Sequence, residues 1–244
     1  LRRGTLRSWI RSAPVAFDAS CRGARKRTKA PRMGVGHWTG GEAGRDPDEQ
    51  VVRVIRSMKW RTNALGLPSP LSIHFVIDSD GVCWQCADPA TVVALHAGAV
   101  NEESIGIEVV NGGLPSFAAS YRPRDRVFRR LRGRAVEQLA FFGRQLEAYA
   151  DLCEVLSSEF GIPRVVPGMP IRDVRGRLVS DRIEVADRML PPEAIRTFSG
   201  FLEHLHVHKA TPDGGTQLSW YLSAMRGYAV HDVERGMPRT LLGL

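Results

Sequence analysis

The apolar positions of this chain change period several times, and each change predicts an element. In SIGIEVVN, Ile105, Ile107 and Val109 alternate with Gly106, Glu108 and Val110, the period-two pattern of a strand, which sets Glu108 on the face opposite the isoleucines. RMGVGHWTGG predicts a short strand ending in a glycine-flanked turn. DPDEQVVRVIRSMKWRTN follows, with Val51, Val52, Ile55 and Met58 on one helical stripe and acids in the first turn, where they suit the helix dipole. LSIHFVIDSDGVCWQCAD predicts two strands around an Asp80-Gly81 turn. From Gly112 to about Gly133 no period is clear, and an insertion or long surface loop is expected. Arg134 to Phe160 predicts a long helix, with Val136, Leu139, Phe142, Leu146, Tyr149, Leu152 and Leu156 three or four apart, closed by Gly161 and Pro163. Pro167 to about Pro192 reads as charged loop. These elements predict a single α/β domain with a central mixed β-sheet flanked by helices.

Length and charge sharpen this picture. A chain of 244 residues can bury one sizeable core, and no apolar run approaches the roughly 18–20 residues that cross a bilayer, so no membrane span is expected. The opening LRRGTLRSWIRSAPVAFDAS has no apolar run of the secretory type, and the cellular location stays open. The net charge is +8, yet residues 1–36 carry ten Lys or Arg against one acid, Asp18. The rest of the chain is therefore close to neutral. We divide the sequence into a basic N-terminal arm, 1–31, and a domain, 32–244. Such an arm suits an anionic partner, including anionic wall polymers. With only Trp9 and Phe17 available to stack on bases, nucleic acid is not the expected partner. Cys83 and Cys86 form a CxxC on an apparent strand, where residues three apart point to opposite faces. Without a second CxxC they read as buried small hydrophobes rather than zinc ligands.

Two kinds of residue carry candidate chemistry. Glu108 sits among β-branched neighbours, where a carboxylate must be paired, hydrogen-bonded, protonated or placed at the mouth of a cleft. Histidines occur at His37 in GHWTG, at His96 in LHAG, and as a cluster, His204, His206 and His208, before TPDGG. Neutral imidazole is the commonest protein ligand for zinc, and a catalytic zinc takes three protein ligands and keeps one open position. Ligands this far apart cannot be assigned from spacing.

The order of the motifs adds to this reading. GHWTGG, SIHFVIDSDG, LHAG, SIGIEVVN, a long helix running into FGIPR, then GFLEH and TPDGGTQLSW together resemble the zinc-dependent N-acetylmuramoyl-L-alanine amidases, the family of phage lysozyme amidases related to peptidoglycan recognition proteins. The resemblance spans roughly Arg32 to Trp220. It implies Zn2+ as cofactor and peptidoglycan or a muropeptide as substrate, with hydrolysis of the amide between N-acetylmuramic acid and L-alanine. Position by position it implies His37 and His96 as the first two metal ligands, with Leu95 where the family's loop has tryptophan. Asp213 matches the third ligand, with Gly214 where the family has proline, and His208 is its rival, on the reading that HLHVH presents alternate histidines on one face of a strand. The resemblance further implies Glu108 as the proton-transferring carboxylate and Thr211 or Lys209 as the partner of the developing oxyanion. His204 is expected to be a structural or pocket residue, and His74 a satisfied core histidine. Two other readings compete with the enzyme: a non-catalytic peptidoglycan-binding protein of the same fold, and a nucleic-acid-binding protein that uses the arm.

Overall fold

The computed structural model describes residues 10–13, 24–40, 46–63, 65–115, 123–208, 215–234 and 237–239. Two short strands, β1 (Ile10–Ser12) and β2 (Ala24–Lys26), precede β3 (Met33–Trp38), which is buried along its whole length. Helix α1 (Pro47–Lys59) starts where its sequence asks: the Asp46 carboxylate accepts from the Asp48 amide at 2.9 Å, and Pro47 stands where no donor is needed. Strands β4 (Phe75–Ile77) and β5 (Cys83–Gln85) form the expected antiparallel hairpin around Gly81, whose φ is +81°. Cys83, on β5, and Cys86, just beyond its end, enter different apolar clusters. Strand β6 (Val92–Ala94) pairs with β2, and a 3-10 turn (Gly98–Glu103) leads into β7 (Ser104–Val109).

Beyond β7 the chain departs from its sequence pattern in three places. Where a surface loop and then a helix from Arg134 are expected, β8 (Arg126–Leu131) and β9 (Arg134–Leu139) pair antiparallel, and helix α2 (Gly143–Phe160) begins only after them. Positive φ at Arg132 (52°) and Gly133 (77°) closes the hairpin. The outer face of β8 carries Arg126, Phe128 and Arg130 in solvent, so no apolar alternation marks it. The 136/139 spacing that mimics a helix is overridden by strand pairing. A charged loop is likewise expected after Pro167, but β10 (Val165–Arg172) and β11 (Leu178–Val185) are paired strands. Pro167 and Pro170 inside β10 disguise it, because proline argues against a strand interior. The third departure follows α3 (Pro192–Thr197) and β12 (Gly200–Glu203): the histidine cluster forms a single helical turn, α4 (His204–Val207), rather than a strand. Helix α5 (Gln217–Arg226) and strands β13 (Ala229–Asp232) and β14 (Met237–Arg239) complete the described chain.

The central sheet has the order β1-β5-β4-β7-β3-β12, with β4, β7, β3 and β12 parallel and β5 antiparallel to β4. A second sheet runs β11-β10-β13-β14. Helices α2 and α5 cover one face of the central sheet, where Tyr149, Leu152, Leu156, Leu218 and Leu222 pack on Phe75, Ile105, Ile107 and Val109. Helix α1 covers part of the other face through Val51, Val54 and Ile55, against Ile73, Val76 and Val110. Each such side chain contributes about 1.5–3 kcal/mol by leaving water. The result is the mixed α/β domain that the sequence predicts. Of residues 1–31, Ile10–Ser12 pairs with β5, Ala24–Lys26 pairs with β6, and Arg27 is buried. No helix among the described residues is long and apolar enough to cross a membrane.

Candidate active site

Three adjacent parallel strands deliver the candidate residues to one edge of the sheet. His37 lies next to the last residue of β3, Glu108 next to the last residue of β7, and His204 directly follows β12. The register pairs His37 with Glu108, so both side chains stand on the same face, away from Ile105 and Ile107. The carboxyl edge of parallel strands is where open α/β sheets place their ligands. Thr39 and Asn111 tie the two strand ends together: the Thr39 hydroxyl donates to the Asn111 carbonyl at 3.2 Å and accepts from its amide at 3.1 Å.

His96 reaches the same place from the loop before the 3-10 turn. Its Nδ1 lies 3.0 Å from His37 Nε2, and its Nε2 lies 3.1 Å from the Ser104 hydroxyl. The backbone beneath it is held by Asn101, whose Oδ1 accepts from the amides of His96 (3.0 Å) and Ala97 (2.6 Å). Gly98, at φ +60°, supplies the left-handed residue that lets the loop turn back. On the other side of His37 stands His204, with ring centroids 4.6 Å apart, and His208 stacks on His204 at 5.3 Å. His204 and His208 are one helical turn apart, which is why α4 shows both to the site while His206 points inward. His37, His96, His204, His208 and Glu108 share a cavity of about 660 Å³ whose lining includes Arg61, the one Lys or Arg among the described lining residues.

Burial shifts three of the histidines, His96, His74 and His206, toward the neutral form. Burial, followed by the nearness of His37, His74 and His204, pushes His96 well below the usual imidazole range and leaves its ring neutral. Burial likewise lowers His74 to about 3, and its hydrogen bonds fix its tautomer: Nδ1 accepts from the Gly106 amide at 3.0 Å, so Nε2 carries the proton and donates to the Val92 carbonyl at 3.0 Å. His74 is thus the satisfied core histidine that the sequence suggests. His206 is lowered by burial to about 4, with Nδ1 accepting from the Glu203 amide and Nε2 donating to the Ala186 carbonyl.

The donors present fit part of a zinc site. Two ligands at about 2.0–2.1 Å from a tetrahedral ion stand roughly 3.3 Å apart, close to the 3.0 Å between His37 Nε2 and His96 Nδ1. The Ser104 hydroxyl at the other ring nitrogen is the outer partner that a ligating histidine usually has. Among the described residues no group of three His, Cys, Asp or Glu is arranged to hold a metal ion. The expected third ligand, Asp213, and the expected oxyanion partners, Thr211 and Lys209, lie outside the described residues. The structure thus brings His37, His96 and Glu108 together in one cavity, and His204, expected as a structural or pocket residue, lines the same cavity against His37. The sequence reading missed Asn101 and Ser104, which hydrogen-bond at His96, and Arg61, which lines the cavity. Nothing in the sequence marks these residues out, and Arg61 lies just beyond Trp60, the C-cap of α1.

Residues 27–181 match the family model described as N-acetylmuramoyl-L-alanine amidase. No curated protein sequence matches the chain. Among solved structures, the N-acetylmuramoyl-L-alanine amidase LysC from Clostridium intestinale is 15% identical, with 88% of this chain and 95% of that chain covered and a TM-score of 0.42. A selenomethionine derivative of AmpD is 15% identical, covering 88% and 93%, with a TM-score of 0.48. Drosophila peptidoglycan recognition protein SD is 15% identical, covering 88% and 90%, with a TM-score of 0.48.

Proposed function

We propose amide hydrolysis in peptidoglycan, from one premise: this chain belongs to the N-acetylmuramoyl-L-alanine amidase family. The observation that supports the reading is the convergence of His37, His96, His204 and Glu108 in one cavity at the carboxyl edge of the sheet. The bond cleaved is the amide between N-acetylmuramic acid and L-alanine. His37, His96 and Asp213 are the proposed zinc ligands. A second set replaces His96 by His204, favoured by the 4.6 Å separation of the His204 and His37 rings.

When bound, zinc supplies a Lewis acid that polarises a carbonyl and acidifies water. The chain's own residues do the rest of the work. Glu108 takes a proton from the attacking water, whose oxygen forms the new bond to the carbonyl carbon. As the carbon–nitrogen bond breaks, Glu108 passes that proton to the leaving nitrogen of L-alanine. Thr211 or Lys209 is the proposed partner of the oxygen on which negative charge develops. Arg61 offers the cavity wall a fixed positive charge, suited to a carboxylate of the peptide stem. The basic residues of the arm attract anionic wall polymers.

The test measures zinc content and the release of new amino termini from purified peptidoglycan, for the parent protein and for Glu108→Ala. About one zinc per chain in both proteins, with hydrolysis falling roughly 10²- to 10⁴-fold in the variant, is the expected result. Protein that binds peptidoglycan without zinc and releases no amino termini would overturn the enzyme reading in favour of a binding protein. His96→Ala and His204→Ala, compared for zinc content alone, separate the two ligand sets.

A further inference from the structure

The cavity contains more construction around His96 than a loop histidine needs. Three residues of one short segment, Asn101, Ser104 and Gly106, touch it in three different ways. The Asn101 side-chain oxygen uses both lone pairs on the amides of His96 and Ala97, which fixes the backbone from which the ring hangs. The Ser104 hydroxyl meets Nε2 at 3.1 Å and so sets the rotation of the ring. Gly106 provides the space, since a Cβ at that position would stand 2.7 Å from His96 Cγ and 2.8 Å from Cδ2. Asn101 is 8% exposed and Ser104 is fully buried, so water does not compete for either contact. The floor of this arrangement is itself tied down, because the Arg27 guanidinium donates to the Glu102 carbonyl at 2.6 Å and to the Ser104 carbonyl at 2.8 Å.

We infer that residues 101–106 form a seat whose function is to aim His96 Nδ1 at His37 Nε2, with Asn101, Ser104 and Gly106 as positioning residues. A rotation of the imidazole about its outer side-chain bond would exchange Nδ1 for a carbon and dissolve the pair. The serine contact opposes that rotation, the asparagine contact opposes displacement of the loop, and a side chain at position 106 would evict the ring. The inference predicts that the His37–His96 pair exists before any metal arrives. Its consequence for metal affinity rests on the proposed function, whereas the seat itself does not.

The experiment therefore has a metal-free arm and a metal arm. In 15N-labelled, metal-free protein, the nitrogen–nitrogen coupling across the hydrogen bond between His37 Nε2 and His96 Nδ1 is measured for the parent, Ser104→Ala, Asn101→Ala and Asn101→Asp. The coupling should be present in the parent, lost in both alanine variants, and kept in Asn101→Asp, whose carboxylate still accepts from both amides. Zinc affinity, measured by competition with a chelator, should fall about 10- to 100-fold in the alanine variants and stay near the parent's in Asn101→Asp. A coupling that survives both alanine substitutions, or one absent from the parent, overturns the seat. Loss of coupling in both alanine variants, its retention in Asn101→Asp, and no zinc binding by the parent would uphold the seat and sink the metal reading. If Ser104→Ala fails to fold, the Asn101→Ala and Asn101→Asp pair decides alone.

Discussion

Arg25 and Arg27 look alike in the sequence, two cations of one basic arm, but the fold separates them sharply. The Arg27 side chain is buried and donates to three carbonyls, those of Val92 (3.2 Å), Glu102 (2.6 Å) and Ser104 (2.8 Å). Burial pushes its guanidinium down from the usual arginine range, with the negative charges of Glu102 and Asp88 opposing the fall. In Arg27→Met the stem is largely kept while the donors are lost. The Val92 carbonyl retains the His74 Nε2 proton, so two carbonyls, those of Glu102 and Ser104, lose the donors that Arg27 supplies. The buried Ser104 carbonyl left unsatisfied costs about 1–3 kcal/mol, while the part-buried Glu102 carbonyl is open to water, so we expect a loss of about 2–3 kcal/mol. Arg25 instead bridges Glu102 at 2.9 Å with its side chain 60% exposed, so Arg25→Ala should cost no more than about 1 kcal/mol. Urea unfolding of the two variants beside the parent measures both. An Arg27→Met midpoint that coincides with that of Arg25→Ala would refute the claim that Arg27 is a structural post beneath the site.

Two further predictions concern pH and substrate. His74 has a folded pKa of about 3 against 6.5 for the free imidazole, so the unfolded chain binds the proton first. Its stabilising contribution is therefore complete above pH 6.5 and shrinks as the pH falls toward 3, by about 2 kcal/mol at pH 5. Unfolding titrations from pH 8 to pH 5 should show His74→Gln to have a shallower pH slope than the parent, and equal slopes would count against a buried neutral His74. Arg61→Ala should raise KM roughly 10- to 100-fold for muropeptides with free stem carboxylates and leave it unchanged when those carboxylates are amidated. An equal rise for both substrates would remove Arg61 from substrate recognition.

The strands on which the site is built are legible because their residues announce them. The alternation in SIGIEVVN and the glycine-punctuated GHWTGG place Glu108 and His37 on strands, and local pattern also specifies the capped helix α1 and the Asp80-Gly81 hairpin. These features depend on neighbours a few residues apart, which is the distance at which backbone preference and side-chain period operate. The order of the motifs carries the family as well.

What the tertiary structure decided was which distant residues meet. Register alone sets His37 beside Glu108, and only the parallel placement of β12 next to β3 brings His204 against His37. The hairpin of β8 and β9 and the paired strands β10 and β11 were hidden because their stability lies in cross-strand pairing, while arginines and prolines mask their period. In the sequence Arg27 is one cation of a basic arm and nothing singles out Asn101 or Ser104, until burial removes the water around them. Once they are buried, each must find partners inside the protein, and the partners they find hold His96 against His37.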